Sequence, residues 1–487
     1  MLHPAFLFAE ILRFVCGFVV LWSHNSRKRQ SGTSQLVLVR GTSNTPIYLT
    51  RTETWDTRPH VPPPFSLQIL MPCKRRETNR PILYKILLNL LPLLILILAF
   101  LLTAASSPLP RLNLILRHFT SSSSTPAQTA KMTSPYSKEL QIAQLAVQRA
   151  SILTKRVFHE KAKGTVSKDD ASPVTIGDFG AQALIISALK HNFPQDQIVA
   201  EEEAATLRSD PSLAKQIWDL VKSTSLTSSE AEELLGGSIP SQEAMLDLID
   251  HGNSSGGRQG RIWTLDPIDG TKGFLRGGQY AVCLALLQDG DVKVGAIACP
   301  NLPVDDSAPL TADIGANASD EDGRGVLFSA VQGLGATSRP LKTGDLAEGK
   351  EISMKPITEM SAASFCESVE AGHSNQSESA QIAQKLGITR PSVRMDSQAK
   401  YGSIARGAGD IYLRLPTSKT YQEKIWDHAG GDLIVREAGG QVTDTKGNRL
   451  DFGVGRTLAS NSGVIAAPKA VHAQVLDVVQ EVLGLKK

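Results

Sequence analysis

The stretch LDPIDGTKGF, Leu265 to Phe274, sets Asp266 and Asp269 three residues apart, with a proline between them and Gly-Thr behind. Two carboxylates about 4 Å apart at an effective dielectric near 20 repel by about 4 kcal/mol, so a cation is expected between them. Pro267 stiffens the turn, letting both carboxylates and the Ile268 carbonyl point at one place. Gly270 and Thr271 then offer backbone amides and a hydroxyl at a helix start, a setting that suits a phosphate. Other carboxylates fall at the ends of regular elements: Glu201 and Glu202 after the run QIVA, and Asp427 after EKIW. Taken singly, each has an ordinary explanation. Paired glutamates after a strand are solvated surface, and Asp427 or Asp178 alone is a helix cap. Together they make an all-oxygen donor set without His or Cys, which suits Mg²⁺ rather than zinc.

The elements that must position these groups are legible in outline. Residues 132–190 read as two helices joined by the polar turn KGTVSKDDASPVTIGD, the second from Phe179 to Lys190. In the first, Ser134 is placed to cap and Pro135 to take the first helical position, followed by an Ile142, Leu145, Ala146 and Arg149 stripe. Gln197–Ala200 is a short strand, and RIWTL is a strand leading into the aspartate motif. HGNSSGGRQG reads as a flexible flap; its glycines lack the βα context of a dinucleotide fingerprint. QYAVCLALLQDGDVKVGAIAC reads as a hairpin about Asp289-Gly290. Beyond Pro303 a strand, Asp410–Leu415, precedes a helix, Trp426–Gly440, as in α/β packing. The expected division is therefore an extension, 1–131, an α+β domain, 132–303, and an α/β domain, 304–487.

Charge separates the extension from the rest. Residues 1–131 carry 15 Lys and Arg against 4 Asp and Glu, while the remainder carries 36 against 44. An acidic remainder argues against nucleic-acid binding and fits a site that collects cations. Five dispersed cysteines form no C-x-x-C pair, so a zinc ribbon or dense disulfide framework is not expected, and a reducing compartment is. In the extension, residues 86–104 are apolar, uncharged and long enough to cross about 30 Å of hydrocarbon. Ala5–Trp22 is also apolar but carries Glu10 and Arg13. Three readings stand for the extension: a membrane anchor, a targeting segment in an otherwise disordered tail, or translated upstream sequence ahead of Met132. Membrane contact is expected only through this segment, and the acidic part is expected in the cytoplasm as a monomer.

DPIDGTKGF, the upstream glutamates and WDHAGG resemble the lithium-sensitive, Mg²⁺-dependent phosphatases that include inositol monophosphatase. SPVTIGDFGAQA, DSQAKYGSIARGAGDIYLRLP and YQEKIWDHAGGDLIVREAGG are similar, within that superfamily, to the fungal 3'(2'),5'-bisphosphate nucleotidases of sulfate assimilation and salt tolerance. The resemblance runs from about Met132 to the C-terminus. It implies a layered α/β/α/β/α sugar-phosphatase fold. It implies two or three Mg²⁺ ions on Glu201, Asp266, Asp269, Asp427 and the Ile268 carbonyl, with Asp178 and Thr271 activating water. It further implies substrate contacts from Gly270, Thr271, His373, Ser397, Lys400, Arg414 and Asp427. The implied reaction converts adenosine 3',5'-bisphosphate (PAP) to AMP, with its sulfated relative PAPS as a second substrate. An inositol phosphate phosphatase with the same metal site is the alternative, and a membrane-tethered non-catalytic binding protein is a remoter one. Ala200 stands where the family usually has glycine, which leaves open a shift of the ligand from Glu201 to Glu202.

Overall fold

The computed structural model describes residues 18–25, 32–40, 47–53, 134–162, 173–308, 310, 323–369, 374–418 and 420–486. The chain divides into two compact units, Met1–Gln128 and Thr129–Lys487. In the first, β1 (Phe18–Asn25), β2 (Gly32–Arg40) and β3 (Ile47–Glu53) form an antiparallel sheet in that order. Sequence reading expected disorder here; runs such as FVVLW and LVLV have the β-branched content that strands favour. The apolar segment 86–104 lies outside the described residues. Among those described, no helix is long and apolar enough to cross a membrane.

The second unit opens with α1 (Ser137–Ala162) and α2 (Pro173–Asn192), then β4 (Gln197–Ala200). Short helices follow: α3 (Ala205–Ser209), α4 (Pro211–Val221), α5 (Ser229–Leu234) and α6 (Gln242–Asp250). Then come β5 (Arg261–Asp269), α7 (Thr271–Arg276), β6 (Ala281–Gln288), β7 (Asp291–Pro303), β8 (Arg324–Val331), β9 (Ala336–Pro340) and β10 (Lys350–Ile352). The chain ends with β11 (Phe365–Glu367), α8 (Gln376–Leu386), β12 (Val393–Arg394), α9 (Ala399–Ala405), β13 (Ile411–Arg414), α10 (Ala429–Glu437), β14 (Gly440–Thr443), β15 (Val464–Pro468) and α11 (Lys469–Val482).

Two sheets organise these elements. The first runs β10-β9-β8-β7-β6-β5-β4, antiparallel except for the β4–β5 pair; the second runs β12-β11-β13-β15-β14. β6 is apolar along its length because both its faces are covered. Val282, Leu284 and Leu286 meet α1 and α2 through Ile142, Leu145 and Ile185. Cys283, Ala285 and Leu287 join the core formed with Tyr401 of α9, Leu433 of α10 and Tyr412 of the second sheet. Beyond that sheet, Ile382 of α8 and Val475 of α11 close on Phe365, Leu413 and Ile465. The order is helix, sheet, helix, sheet, helix: the layered α/β/α/β/α fold expected.

Several sequence expectations are corrected. α1 opens at Ser137, whose amide meets the Ser134 carbonyl at 3.2 Å, so Pro135 precedes the helix instead of starting it. α2 starts six residues before Phe179, with proline in the first position that its fixed φ favours. Asp178 is therefore inside a helix and caps nothing. The expected domain boundary near Pro303 falls at the end of β7, and β8 to β10 continue the same sheet; the change of sheet comes between Ile352 and Phe365. HGNSSGGRQG is held in place: the Ser254 amide bonds the Ile198 carbonyl at 3.1 Å, and Arg258 pairs with Asp451 at 2.6 Å.

Candidate active site

Residues three apart on a regular strand point to opposite faces. β5 avoids this with a bulge: Asp266 lies opposite Cys283 and Asp269 opposite Ala281, three residues against two. The extra residue turns both carboxylates to one side. Asp266 Oδ1 accepts the Ile268 amide at 3.1 Å, fixing the turn. Gly270 then adopts φ +87°, and a Cβ there would lie 2.9 Å from that of Ser397. The Phe274 amide bonds the Gly270 carbonyl at 2.9 Å and starts α7. From across the cleft, the Gln398 amide donates to Asp269 Oδ2 at 2.5 Å.

Asp427 arrives on a 3-10 turn, Ile425–Asp427, one residue before the His428 cap of α10, so it too is no helix cap. Carboxylate oxygens of Asp266, Asp269 and Asp427 lie within 4.8 Å of one another. Glu201 is brought alongside because β4 runs parallel to β5, with Ala200 opposite Leu265. Ala200 packs against Gly252, where any Cβ would come within 2.6 Å of its methyl. Glu201 lines the cleft, while the main chain of Glu202 is held by both ends of the Gln182 amide, at 2.7 and 3.0 Å. Glu201 is thus the glutamate presented to the cleft.

The crowding is visible in the proton affinities. Burial, then neighbouring carboxylates, pushes Asp178, Asp266 and Asp427 well above the usual range. Burial also raises Asp269, although Lys400 and the Gln398 amide pull it back. Glu201 keeps an edge exposed to solvent, yet burial of its carboxylate and the nearby Glu202 push it up to about 7. Four convergent carboxylates and a carbonyl are the donor chemistry of a hard divalent cation. The residues fit such an ion. Asp178 hangs from α2 beside Glu201 and Glu202; it is not hydrogen-bonded to Thr271, whose hydroxyl donates to the Ile268 carbonyl at 3.5 Å.

The cluster lines a cleft of about 790 Å³, and Ser397, Lys400, Arg414, Tyr412 and Tyr421 line the same cleft. Lys400 is buried, its Nζ donating to the Ser397 carbonyl at 2.9 Å and sitting 5.3 Å over the Tyr412 ring. Arg414 gives its Nε to Glu423 at 2.7 Å. His373 lies outside the described residues. Sequence reading missed Gln398 and Glu423. Glu423 reaches Arg414 with one oxygen and His428 at 3.3 Å with the other, and His428 Nδ1 meets the Tyr401 hydroxyl at 2.8 Å. The only signal for them was their place inside the motifs DSQAKYG and YQEKIWD.

A profile describing the inositol monophosphatase family matches residues 136–483, and the chain belongs to that family. Its curated relatives include a 3'(2'),5'-bisphosphate nucleotidase of Emericella nidulans, 68% identical over 350 residues, covering 72% of this chain and 99% of the relative. Another is the 3'(2'),5'-bisphosphate nucleotidase of Schizosaccharomyces pombe, 51% identical, covering 70% of this chain and 95% of the relative. The resemblance read from the motifs is borne out, and the chain is an enzyme of the phosphatase class. Among solved structures, the Thermotoga maritima IMPase aligns with a TM-score of 0.43 at 19% identity, covering 71% of this chain and 98% of that one.

Proposed function

We propose that this cleft removes the 3' phosphate of PAP to give AMP, with Mg²⁺ as the metal and PAPS as a second substrate. The observation that carries the reading is one cleft whose lining holds both the carboxylate cluster and the cationic and aromatic residues Lys400, Arg414, Tyr412 and Tyr421. Relatives named for bisphosphate nucleotides support it. A substrate with two phosphates uses both sets of residues: one phosphate beside cations that the carboxylates would hold, the other at Lys400 and Arg414.

Two or three Mg²⁺ ions held by Glu201, Asp266, Asp269, Asp427 and the Ile268 carbonyl would neutralise the reacting phosphate and acidify the attacking water. The chain's own groups do the rest. Gly270 and Thr271 amides orient the phosphate for in-line attack. The Asp178 carboxylate, whose proton affinity burial has raised, takes up the proton of the water, and the Thr271 hydroxyl orients that water. Ser397, Arg414, Lys400 and His373 hold the nucleotide, and the Glu423 carboxylate on its Nε orients the Arg414 guanidinium. The activity resides in Thr129–Lys487 as a cytoplasmic monomer, supporting sulfate assimilation and salt tolerance. Asp269→Asn is the test. It should abolish Mg²⁺-dependent phosphate release from PAP while the metal-free Tm holds or rises, because one repelling charge is gone. Near-normal turnover in this variant would refute the metal role.

A further inference from the structure

The two sides of the acidic cluster come from segments far apart in sequence: Glu201 from the end of β4, and Asp427 from the turn before α10. One residue outside every motif discussed above joins them. The Arg456 guanidinium donates to the Ala200 carbonyl at 2.6 Å, immediately before Glu201. It also reaches the Ser254 carbonyl at 2.9 Å and that of Gly252 at 3.3 Å. Its Cζ lies 4.9 Å over the centre of the ring of Trp426, the residue immediately before Asp427. The Arg456 main chain holds the same turn, since its carbonyl accepts the Ile425 amide at 3.2 Å. The neighbouring Lys424 and Thr457 form a β-bridge.

These contacts suit arginine specifically. A guanidinium spreads its donors over two terminal nitrogens, which here reach three carbonyls while its central carbon sits over an indole; a lysine ammonium is a single point charge and cannot span the same carbonyls. Arg456 is only half-buried, so its contribution to the core is small, and what it fixes is the spacing between two backbones. We infer that Arg456 is a positioning residue for the cation site, a strut that sets Glu201 against Asp427. This rests on the metal reading above. Groups that orient metal ligands without touching the metal typically change its affinity by about 10- to 100-fold when removed.

The test uses the full chain with Arg456→Met, which keeps length and loses the fork, and Arg456→Lys. Arg258→Ala serves as a control, because it cuts an ion pair that tethers the same 251–260 turn to Asp451 without touching β4 or Trp426. Mg²⁺ affinity is read by calorimetry and by the Mg²⁺-induced rise in Tm. Arg456→Met is expected to weaken Mg²⁺ by about 10- to 100-fold, Arg456→Lys by less, and Arg258→Ala not at all. Turnover of Arg456→Met should recover at saturating Mg²⁺, with KM for PAP near that of the unaltered protein. A folded Arg456→Met with an unshifted Mg²⁺ midpoint, whatever its Tm, overturns the proposal. If that variant does not fold, Arg456→Lys is judged by the same midpoint. Absence of Mg²⁺ binding to the unaltered protein would instead sink the metal reading itself, and this inference with it.

Discussion

Arg414 illustrates how a side chain's reach is set by its neighbours. Glu423 holds its Nε, and Glu423 in turn stands beside Asp427 and His428, so the arginine links the cationic residues to the acidic cluster. Arg414→Ala is therefore expected to act twice. On the proposed function it removes a phosphate contact, and it leaves the Glu423 carboxylate with His428 alone. The first effect is isolated by comparing PAP with 3'-AMP, which lacks the 5' phosphate. Charge-assisted hydrogen bonds are worth about 1.5–3 kcal/mol, so KM for PAP should rise about ten- to hundredfold relative to that for 3'-AMP. Equal losses on the two substrates would remove Arg414 from nucleotide recognition. At this scale the sequence was most legible where chemistry resides in side-chain type. Asp266 and Asp269 stood out because proline and glycine frame them. Gln398 did not, because its bond to Asp269 comes from a backbone amide that almost any residue would supply.

The elements carry the carboxylates to each other through close approaches rather than through their own ends. α10, which follows Asp427, lies against α9 at Gly431, where a Cβ would fall 2.2 Å from the Tyr401 ring. The glycines of WDHAGG are thus spacers for helix packing, and Tyr401 holds the same turn by its bond to His428. Gly431→Ala should force the ring aside at a cost of about 1–3 kcal/mol. That predicts a Tm lowered by a few degrees in calorimetry; an unchanged Tm would mean that Tyr401 can move freely. Strand patterns were readable because period-2 alternation and Asp289-Gly290 leave strong local signals. The start of α2 was not, since SKDDASPV is polar and proline-bearing and looks like loop. The β5 bulge was also hidden, because it depends on the partner strand β6. The anchoring of the supposed flap was hidden for a similar reason: its partners, Asp451 and Arg456, lie some two hundred residues away.

For the molecule as a whole, the five layers were expected from family resemblance, whereas composition alone supported only an acidic, mixed α/β chain. What the layers achieve is to hold several like charges at low solvent exposure, which costs stability unless a cation is bound. Glu201 binds its proton up to about pH 7 in the folded chain, against 4.5 for the ordinary carboxyl, and its buried neighbours are raised as well. Between those values the folded chain holds more protons than the unfolded chain, so stability falls as pH rises. Metal-free protein should therefore melt lower at pH 8 than at pH 6, and saturating Mg²⁺ should flatten that slope. A metal-free Tm that rises across this window would contradict the charge balance described. The central claim is that the cleft distinguishes a bisphosphate nucleotide from a sugar phosphate by its cationic residues. It is tested most directly by measuring kcat/KM for phosphate release from PAP and from inositol 1-phosphate on the same preparation, with Mg²⁺ present. One additional charge-assisted phosphate contact predicts a preference for PAP of at least about ten- to hundredfold, with AMP as the nucleotide product. Equal rates, or faster release from inositol 1-phosphate, would contradict it.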